Sequence, residues 1–285
     1  SRTQGRCRLK AKITLLESRQ LDAKARPVLV FVPGGPGLSS ATLRSMDRLT
    51  CAFDVLYVDP PGTGGLPEPV APTFAGVINS IQSALELLNR PIVLCGHSFG
   101  ALLSISLASK SRLDIRALVA LASPLSKASY AHAAQEYRRL MTPELSQAAD
   151  RWEKDRTAAA FTEWLASYGP LYFSPTNVGA GRSLLLGDRV SPALAIHLQP
   201  VLRSQEPEFD FSGIGATLQI PKLLLAGAED TMCPPDLLSL DARAIGAELR
   251  TVTGAGHFLT FDQPETVAGM IEDFVLDGIL RRNQR

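Results

Sequence analysis

Short runs of apolar residues alternate along the chain with longer stretches in which apolar residues recur every three or four positions. The short runs predict buried β-strands, and the longer stretches predict amphipathic helices. Each short run ends in glycine, proline or a polar cluster. The predicted strands are residues 28–32, 55–58, 92–95, 117–121, 222–226 and 249–252. Strands that alternate with helices favour a mostly parallel sheet with helices on both faces, so we predict an α/β fold.

The alternation stops between residues 125 and 212, where the pattern is helical throughout. Thr142 and Ser191 each precede a proline, which is typical of a capped helix start. We therefore predict a core domain of residues 1–124 and 213–285 and an inserted helical cap of residues 125–212. The cap holds 10 of the 18 aromatic residues. These either line an apolar cleft under the cap or dock the cap on the core.

Charge and composition narrow the classes of partner. The chain has 29 basic and 28 acidic residues, so it lacks the net positive charge that would attract it to nucleic acid or to an anionic membrane. Apolar residues alternate with basic ones over residues 7–15, which predicts a half-buried strand. With no apolar run of membrane-spanning length and no signal peptide, we expect a cytoplasmic protein. Its four scattered cysteines are expected to be reduced thiols.

Residues 96–100, Gly-His-Ser-Phe-Gly, directly follow an apolar run and form the most informative stretch of the chain. In this context G-x-S-x-G predicts a nucleophile elbow, in which a strand ends at Gly96, a strained turn presents Ser98 and a helix follows. We expect any side chain at Gly96 or Gly100 to collide with the neighbouring strand or helix.

A serine hydroxyl is a poor nucleophile unless a histidine takes its proton and an acid orients that histidine. The candidate base is His257, in a glycine-rich loop after the last predicted strand. His97 is expected to be structural, because a turn points adjacent side chains apart, and the other two histidines lie in the cap. The candidate acid is Asp230, which follows the fifth strand, with Glu229 as its rival one residue away.

An oxyanion hole needs two backbone N–H donors. Phe99, at the start of the helix after Ser98, is expected to supply one. Gly35, in the loop Pro-Gly-Gly-Pro-Gly after the first strand of the core, is expected to supply the other. No phosphate-binding or metal-binding motif is present, so we expect no cofactor and no metal.

In this order, the P-G-G-P-G loop, the D-P-P-G-T-G turn, the G-H-S-F-G elbow, the G-A-E-D loop and the G-A-G-H-F loop resemble the α/β-hydrolase superfamily. The loop and the turn are most similar to those of the prolyl aminopeptidase (proline iminopeptidase) group. The resemblance implies an α/β-hydrolase fold and carries the triad onto Ser98, Asp230 and His257. It also implies cleavage of an N-terminal proline or small residue from a peptide.

Aminopeptidases of this group recognise a free ammonium through acidic side chains, and the resemblance makes Glu163, beside Trp164, the candidate here. Two features depart from the group. Pro33 stands where the group has histidine, and a pair of prolines at positions 60 and 61 replaces its glutamine and arginine.

Three functions remain open on the sequence. The first is a serine hydrolase that cleaves an ester or amide bond in a small molecule or short peptide through an acyl-enzyme. The second is an esterase, thioesterase or lactonase of small metabolites, favoured by a wholly apolar cleft. The third is a ligand-binding protein that kept the fold without the catalysis. The sequence does not indicate the oligomeric state.

Overall fold

A single sheet forms the centre of the computed structural model, which describes residues 10–20 and 22–277. Its strands are β1 (Lys12–Leu16), β2 (Val28–Val32), β3 (Val55–Asp59), β4 (Ile92–His97), β5 (Ile115–Leu121), β6 (Lys222–Gly227) and β7 (Glu248–Val252). Within the described residues these seven strands lie in the order β1-β3-β2-β4-β5-β6-β7. The pair β1 and β3 is antiparallel, and all other neighbours are parallel. The predicted mostly parallel sheet is thus confirmed.

The six strands predicted from apolar runs match β2 to β7 to within two residues at each end. Strands β2 to β6 were recognisable because both faces of a parallel sheet are covered, so that a central strand is apolar over most of its length. The seventh strand, β7, lies at an edge of the sheet and has exposed and half-buried residues. The half-buried strand predicted over residues 7–15 corresponds to β1, which lies at the edge of the sheet with exposed and half-buried residues. Residues 7–9 of that prediction lie outside the described residues.

Helices connect the strands and cover both faces. The α-helices are α1 (Phe74–Leu85), α2 (Phe99–Lys110), α3 (Lys127–Arg139), α4 (Pro143–Asp155), α5 (Ala158–Ser167), α6 (Gly169–Tyr172), α7 (Val178–Leu186), α8 (Pro192–Leu198), α9 (Phe211–Thr217), α10 (Pro235–Ile245), α11 (Leu259–Asp262) and α12 (Pro264–Val275). Short 3-10 helices span Ala23–Ala25, Glu86–Leu88, Gln199–Arg203 and Pro207–Phe209, and a longer one spans Ser40–Cys51. Among the residues described, none of these helices is long and apolar enough to cross a bilayer.

Between β5 and β6 the chain contains helices and loops but no strand, as far as the structure describes it. The two predicted helix starts are confirmed. The hydroxyl of Thr142 accepts the N–H of Leu145, and the hydroxyl of Ser191 accepts the N–H of Leu194. We call residues 125–212 the helical segment. Its separation from the core as a cap domain stays a prediction.

The core lies on both sides of the sheet. Alternate residues of β2 point to opposite faces, as the period of a strand requires. Val30 joins a cluster with α1, α2 and much of the helical segment. Phe31 joins a second cluster with the 3-10 helix Ser40–Cys51 and α12. Both side chains are fully buried.

The carboxyl ends of the parallel strands β2, β4, β6 and β7 lie side by side along the same end of the sheet. The registers place Val32 beside Gly96 and Gly227 beside Val252, so the loops that follow these strands start at the same level. These are the loops that carry Gly35, Ser98, Asp230 and His257. Parallel sheets collect functional groups at this end, because every strand ends there.

Three cysteines of the described chain, Cys51, Cys95 and Cys233, are free thiols. Cys95 lies inside β4, and burial raises the pKa of its thiol well above the usual range. Cys7 lies outside the described residues.

Candidate active site

Ser98 stands at the turn between β4 and α2, with φ +50° and ψ −119°. A residue with a side chain rarely adopts this conformation, and neighbouring groups must hold it in place. The Ser98 N–H donates to the carbonyl oxygen of Leu121 at 2.9 Å, and the Ser98 carbonyl accepts the hydroxyl of Ser123 at 2.8 Å. The chain around β5 therefore stabilises the strained turn. Ser98 itself is half-buried.

The two glycines of the motif permit the close contacts of this turn. A Cβ at Gly96 would lie 2.4 Å from the backbone of Ala101, and a Cβ at Gly100 would lie 2.2 Å from the carbonyl oxygen of Val32. Both distances are far inside van der Waals contact. The predicted collisions are confirmed, and the elbow packs directly against the end of β2.

His257 and Asp230 form a buried pair beside the elbow. The Nδ1 atom of His257 lies 2.8 Å from Oδ2 of Asp230, and the two side chains are 4% and 0% exposed. The other carboxylate oxygen, Oδ1, accepts the N–H groups of Met232 and Cys233 at 2.9 Å each. An acceptor at Nδ1 selects the tautomer with its proton there, so in the neutral ring Nε2 carries the lone pair.

Glu229, the rival candidate acid, is exposed, and its N–H donates to the carbonyl of Ala255. The structure thus brings Asp230, and not Glu229, to His257. The reason is the turn after β6, where the Asp230 N–H donates to the Gly227 carbonyl and the side chain points inward.

Asp230, His257 and Cys233 also place one possible metal ligand each within 4.8 Å of the others. Two of these ligand atoms, Asp230 Oδ2 and His257 Nδ1, are already bonded to each other. Burial raises the pKa of the Cys233 thiol well above its usual range, so this sulfur keeps its proton. The donor set therefore fits a hydrogen-bonded pair better than a metal ion.

His97, which precedes Ser98, contacts the loop that carries His257, which we call the histidine loop. Its Nε2 lies 2.9 Å from the carbonyl oxygen of His257, and its ring lies 5.2 Å from the His257 ring. Burial, and to a smaller extent the nearby His257, lowers the pKa of His97 to about 3. The ring is therefore neutral at physiological pH. Through Nε2 it joins the elbow to the loop of the candidate base.

The loop after β2 approaches the same place. A Cβ at Gly34 would lie 2.9 Å from the carbonyl oxygen of His97 and 3.1 Å from the Cβ of Ser98, so a side chain there would force the loop or the elbow to shift. The next residue, Gly35, has φ +113°. Neither the Gly35 N–H nor the Phe99 N–H has an acceptor among residues 10–20 and 22–277. These two unpaired donors, one on the loop after β2 and one at the start of α2, could receive a developing negative charge.

The helical segment holds this loop from the other side. The carboxylate of Asp188, which is 8% exposed, accepts both the backbone N–H and the hydroxyl of Ser39. The Ser191 N–H donates to the carbonyl of Gly37 at 2.8 Å, and the Gly64 N–H donates to the carbonyl of Arg189 at 2.9 Å. Residues 188–191 thus bind both the loop after β2 and the turn after β3.

Aromatic rings of the helical segment form a wall between the loop after β2 and His257. The aromatic wall consists of Phe161, Trp164, Tyr137, Tyr168 and Tyr172. Successive ring centroids are 5.9 Å apart for Phe161 and Trp164, 6.5 Å for Trp164 and Tyr137, and 6.2 Å for Tyr137 and Tyr172. The Tyr172 ring lies 6.1 Å from that of His257. At the other end, a Cβ at Gly37 would lie 3.3 Å from the Phe161 ring.

The wall is uncharged. The hydroxyls of Tyr137 and Tyr172 bond to each other, and burial raises the pKa of both phenols. The two residues of the helical segment predicted to bind substrate differ in position. Trp164 is half-buried within the wall. Glu163 is 45% exposed at its side chain and pairs with Arg151. The structure therefore brings Trp164, but not Glu163, toward the site.

Sequence reasoning missed Asp262, a buried carboxylate that organises the histidine loop. One oxygen, Oδ2, accepts the N–H of Gly256 at 2.8 Å and that of Ser174 at 2.9 Å, and Oδ1 accepts the Asn177 amide at 2.9 Å. It thereby joins the histidine loop to the helical segment. An acidic residue five positions after His257, among apolar residues, was the only signal in the sequence.

The model of the Alpha/beta hydrolase family matches residues 29–270, which include the elbow, the acid loop and the histidine loop. The chain belongs to the alpha/beta hydrolase family. The superfamily resemblance and the fold expected from it are confirmed.

Relatives in this family have different activities. The chain is 27% identical over 247 residues to the 2-succinyl-6-hydroxy-2,4-cyclohexadiene-1-carboxylate synthase of Klebsiella pneumoniae, covering 85% of this chain and 90% of the relative. A thermophilic esterase from Thermogutta terrifontis has a TM-score of 0.71 and 20% identity, over 94% of this chain and 93% of that one. The proline iminopeptidase of Mycobacterium smegmatis has a TM-score of 0.66 and 18% identity, over 94% of both chains. The two solved structures share the alpha/beta hydrolase fold of this chain, and the narrower aminopeptidase group is not singled out.

Proposed function

We propose that this alpha/beta hydrolase is a serine hydrolase that cleaves uncharged carboxylic esters through an acyl-enzyme. The observation that carries the proposal is the buried pair of His257 and Asp230 beside the strained Ser98 turn, with Nδ1 and Oδ2 at 2.8 Å. A buried carboxylate that orients a histidine beside a strained serine is the arrangement that nucleophilic catalysis requires.

The role of each catalytic residue follows from the hydrogen bond between Asp230 and His257. Asp230 occupies Nδ1 of His257, so Nε2 takes the proton from the Ser98 hydroxyl as its oxygen attacks the ester carbonyl. The N–H groups of Gly35 and Phe99 bind the negative oxygen of the tetrahedral intermediate. The intermediate collapses, the C–O bond to the alcohol breaks, and His257 gives its proton to the leaving alkoxide.

Water then enters and the cycle repeats on the acyl-enzyme. His257 removes a proton from water, the hydroxide oxygen attacks the acyl carbon, and the proton returns to Ser98 as the carboxylic acid leaves. Overall, the C–O bond of the ester and one O–H bond of water break, and the C–O bond of the acid and the O–H bond of the alcohol form, so no cofactor is needed.

An uncharged ester is favoured because the aromatic wall between the loop after β2 and His257 carries no charge. An aminopeptidase needs a carboxylate to pair with the free ammonium of its substrate. Glu163, the candidate for that role, pairs instead with Arg151. One structural neighbour, the thermophilic esterase from Thermogutta terrifontis, is in line with this choice.

The test is a matched substrate panel assayed with the wild-type protein and with Ser98→Ala as the blank. The panel contains short and medium acyl p-nitrophenyl esters, acyl thioesters, and prolyl and alanyl anilides. We expect turnover of esters that disappears in Ser98→Ala while the thermal unfolding midpoint is unchanged. Preference for the prolyl anilide would contradict the substrate class. Equal turnover by Ser98→Ala, or none by either protein, would contradict the serine mechanism.

A further inference from the structure

The backbone of the histidine loop is held at three consecutive residues. The Gly256 N–H donates to the carboxylate of Asp262 at 2.8 Å, and the Phe258 N–H donates to the carbonyl of Tyr172 at 2.9 Å. Between them, the carbonyl of His257 lies 2.9 Å from Nε2 of His97. The first two contacts come from α11 and the helical segment, and the third comes from the nucleophile elbow.

The His97 ring acts as a donor in that contact. Its surroundings keep it uncharged, and a carbonyl oxygen can only accept, so the proton of the neutral ring is on Nε2. The other nitrogen, Nδ1, is buried and has no hydrogen-bond partner among the described residues. It faces the loop after β2, where a Cβ at Gly34 would lie 3.1 Å from it.

An unpaired buried nitrogen lowers the stability of the fold. A leucine would fill the same space without this cost. His97 therefore supplies something at this position that an apolar side chain does not, and its one used polar group is the Nε2–H that binds His257. Because His97 and Ser98 share a peptide bond, the contact ties the nucleophile's own backbone to the backbone of the base.

We propose that His97 is a positioning residue, whose Nε2–H holds the His257 carbonyl and so sets the separation between the Ser98 oxygen and the imidazole of His257. The proposal rests on the proposed serine hydrolase function. Proton transfer between serine and histidine depends steeply on that separation, so a small displacement of the loop lowers the rate of the chemical step and leaves substrate binding unchanged.

Three substitutions separate this role from simple packing. In His97→Gln the side-chain amide nitrogen reaches the position of Nε2 and keeps a donor for the His257 carbonyl. In His97→Asn the amide is shorter and reaches only the position of Nδ1, beside Gly34. His97→Leu keeps the volume and removes the donor. Turnover of the best ester, its KM, and the thermal unfolding midpoint are measured for all three and for the wild type.

We expect His97→Gln to keep kcat within about threefold of the wild type, and His97→Asn and His97→Leu to lose about 10- to 100-fold in kcat with KM nearly unchanged. Equal kcat in all four proteins would overturn the proposal. So would an equal loss in the Gln and Leu variants, which would indicate packing. If His97→Leu does not fold, the comparison of Gln with Asn decides in the same way.

The failure of this proposal can be told apart from the failure of the proposed function. A wild-type protein that hydrolyses esters and loses this activity in Ser98→Ala, but has similar kcat in the Gln and Asn variants, contradicts only the role of His97. A wild-type protein that neither hydrolyses any ester nor reacts with a fluorophosphonate contradicts the function, and the role of His97 with it.

Discussion

Acid should destabilise this protein through His97, because the ring is neutral when folded and charged when unfolded. Burial, with a smaller effect of His257, lowers the pKa of His97 from its usual 6.5 to about 3. Between these values the unfolded chain binds a proton that the folded protein does not, so stability falls as the pH is lowered. Below the unfolded pKa of 6.5 each pH unit costs about 1.4 kcal/mol. Acidification from pH 7 to pH 5 should therefore remove about 2 kcal/mol from the free energy of unfolding through this residue.

Urea unfolding at pH 7 and at pH 5 measures this loss. Other groups titrate in the same range, so the wild type is compared with His97→Gln, which has no proton to gain, and with His197→Gln, whose ring is exposed in the helical segment. The wild type and His197→Gln should each lose about 2 kcal/mol more than His97→Gln on acidification. Equal losses in the wild type and His97→Gln would refute the reasoning, because they would show that folding does not exclude the proton from this ring.

Gly34→Ala should lower kcat about 10-fold or more, measured by ester hydrolysis, because its methyl group would lie 3.1 Å from the nucleophile's Cβ; unchanged kcat would show that the loop can move aside. In steady-state kinetics, Asp230→Asn should lower kcat on the order of 10,000-fold, whereas Glu229→Gln should change kcat less than about threefold. The reverse ranking would show that the acid is Glu229. Asp188→Ala should lower the free energy of unfolding in urea by about 1–3 kcal/mol, because two buried donors of the loop after β2 lose their acceptor. Gly269→Ala should raise the free energy of unfolding in urea by about 0.5–1 kcal/mol, because Gly269 lies within helix α12 and nothing is within 4 Å of the new methyl group.

The parallel sheet and the elbow could be predicted because their signals are local. A strand covered on both faces is apolar over most of its length, and β2 to β6 were found in that way. The turn at Ser98 requires glycine on both sides for steric reasons that a five-residue motif already shows. The long 3-10 helix Ser40–Cys51 was not predicted, although its buried residues Leu43, Met46 and Leu49 recur every three positions, which is the period of a 3-10 helix.

The contacts that join loops far apart in the chain could not be predicted. His97 meets His257 across 160 residues, and Ser39 meets Asp188 across 149 residues. The residue types alone do not specify such pairs, because a buried polar side chain needs a partner but does not indicate which one. The expectation for Glu163 shows the same limit. Its helix was predicted correctly, but which face of that helix meets the site depends on how the helical segment docks.

The claim that Ser98 is the nucleophile is tested most directly by stoichiometric labelling with a fluorophosphonate, followed by peptide mass spectrometry. We expect one adduct per chain, located on Ser98, and a loss of ester hydrolysis in proportion to its formation, with no adduct in Ser98→Ala. An adduct on another residue, or full inhibition without modification of Ser98, would contradict the account.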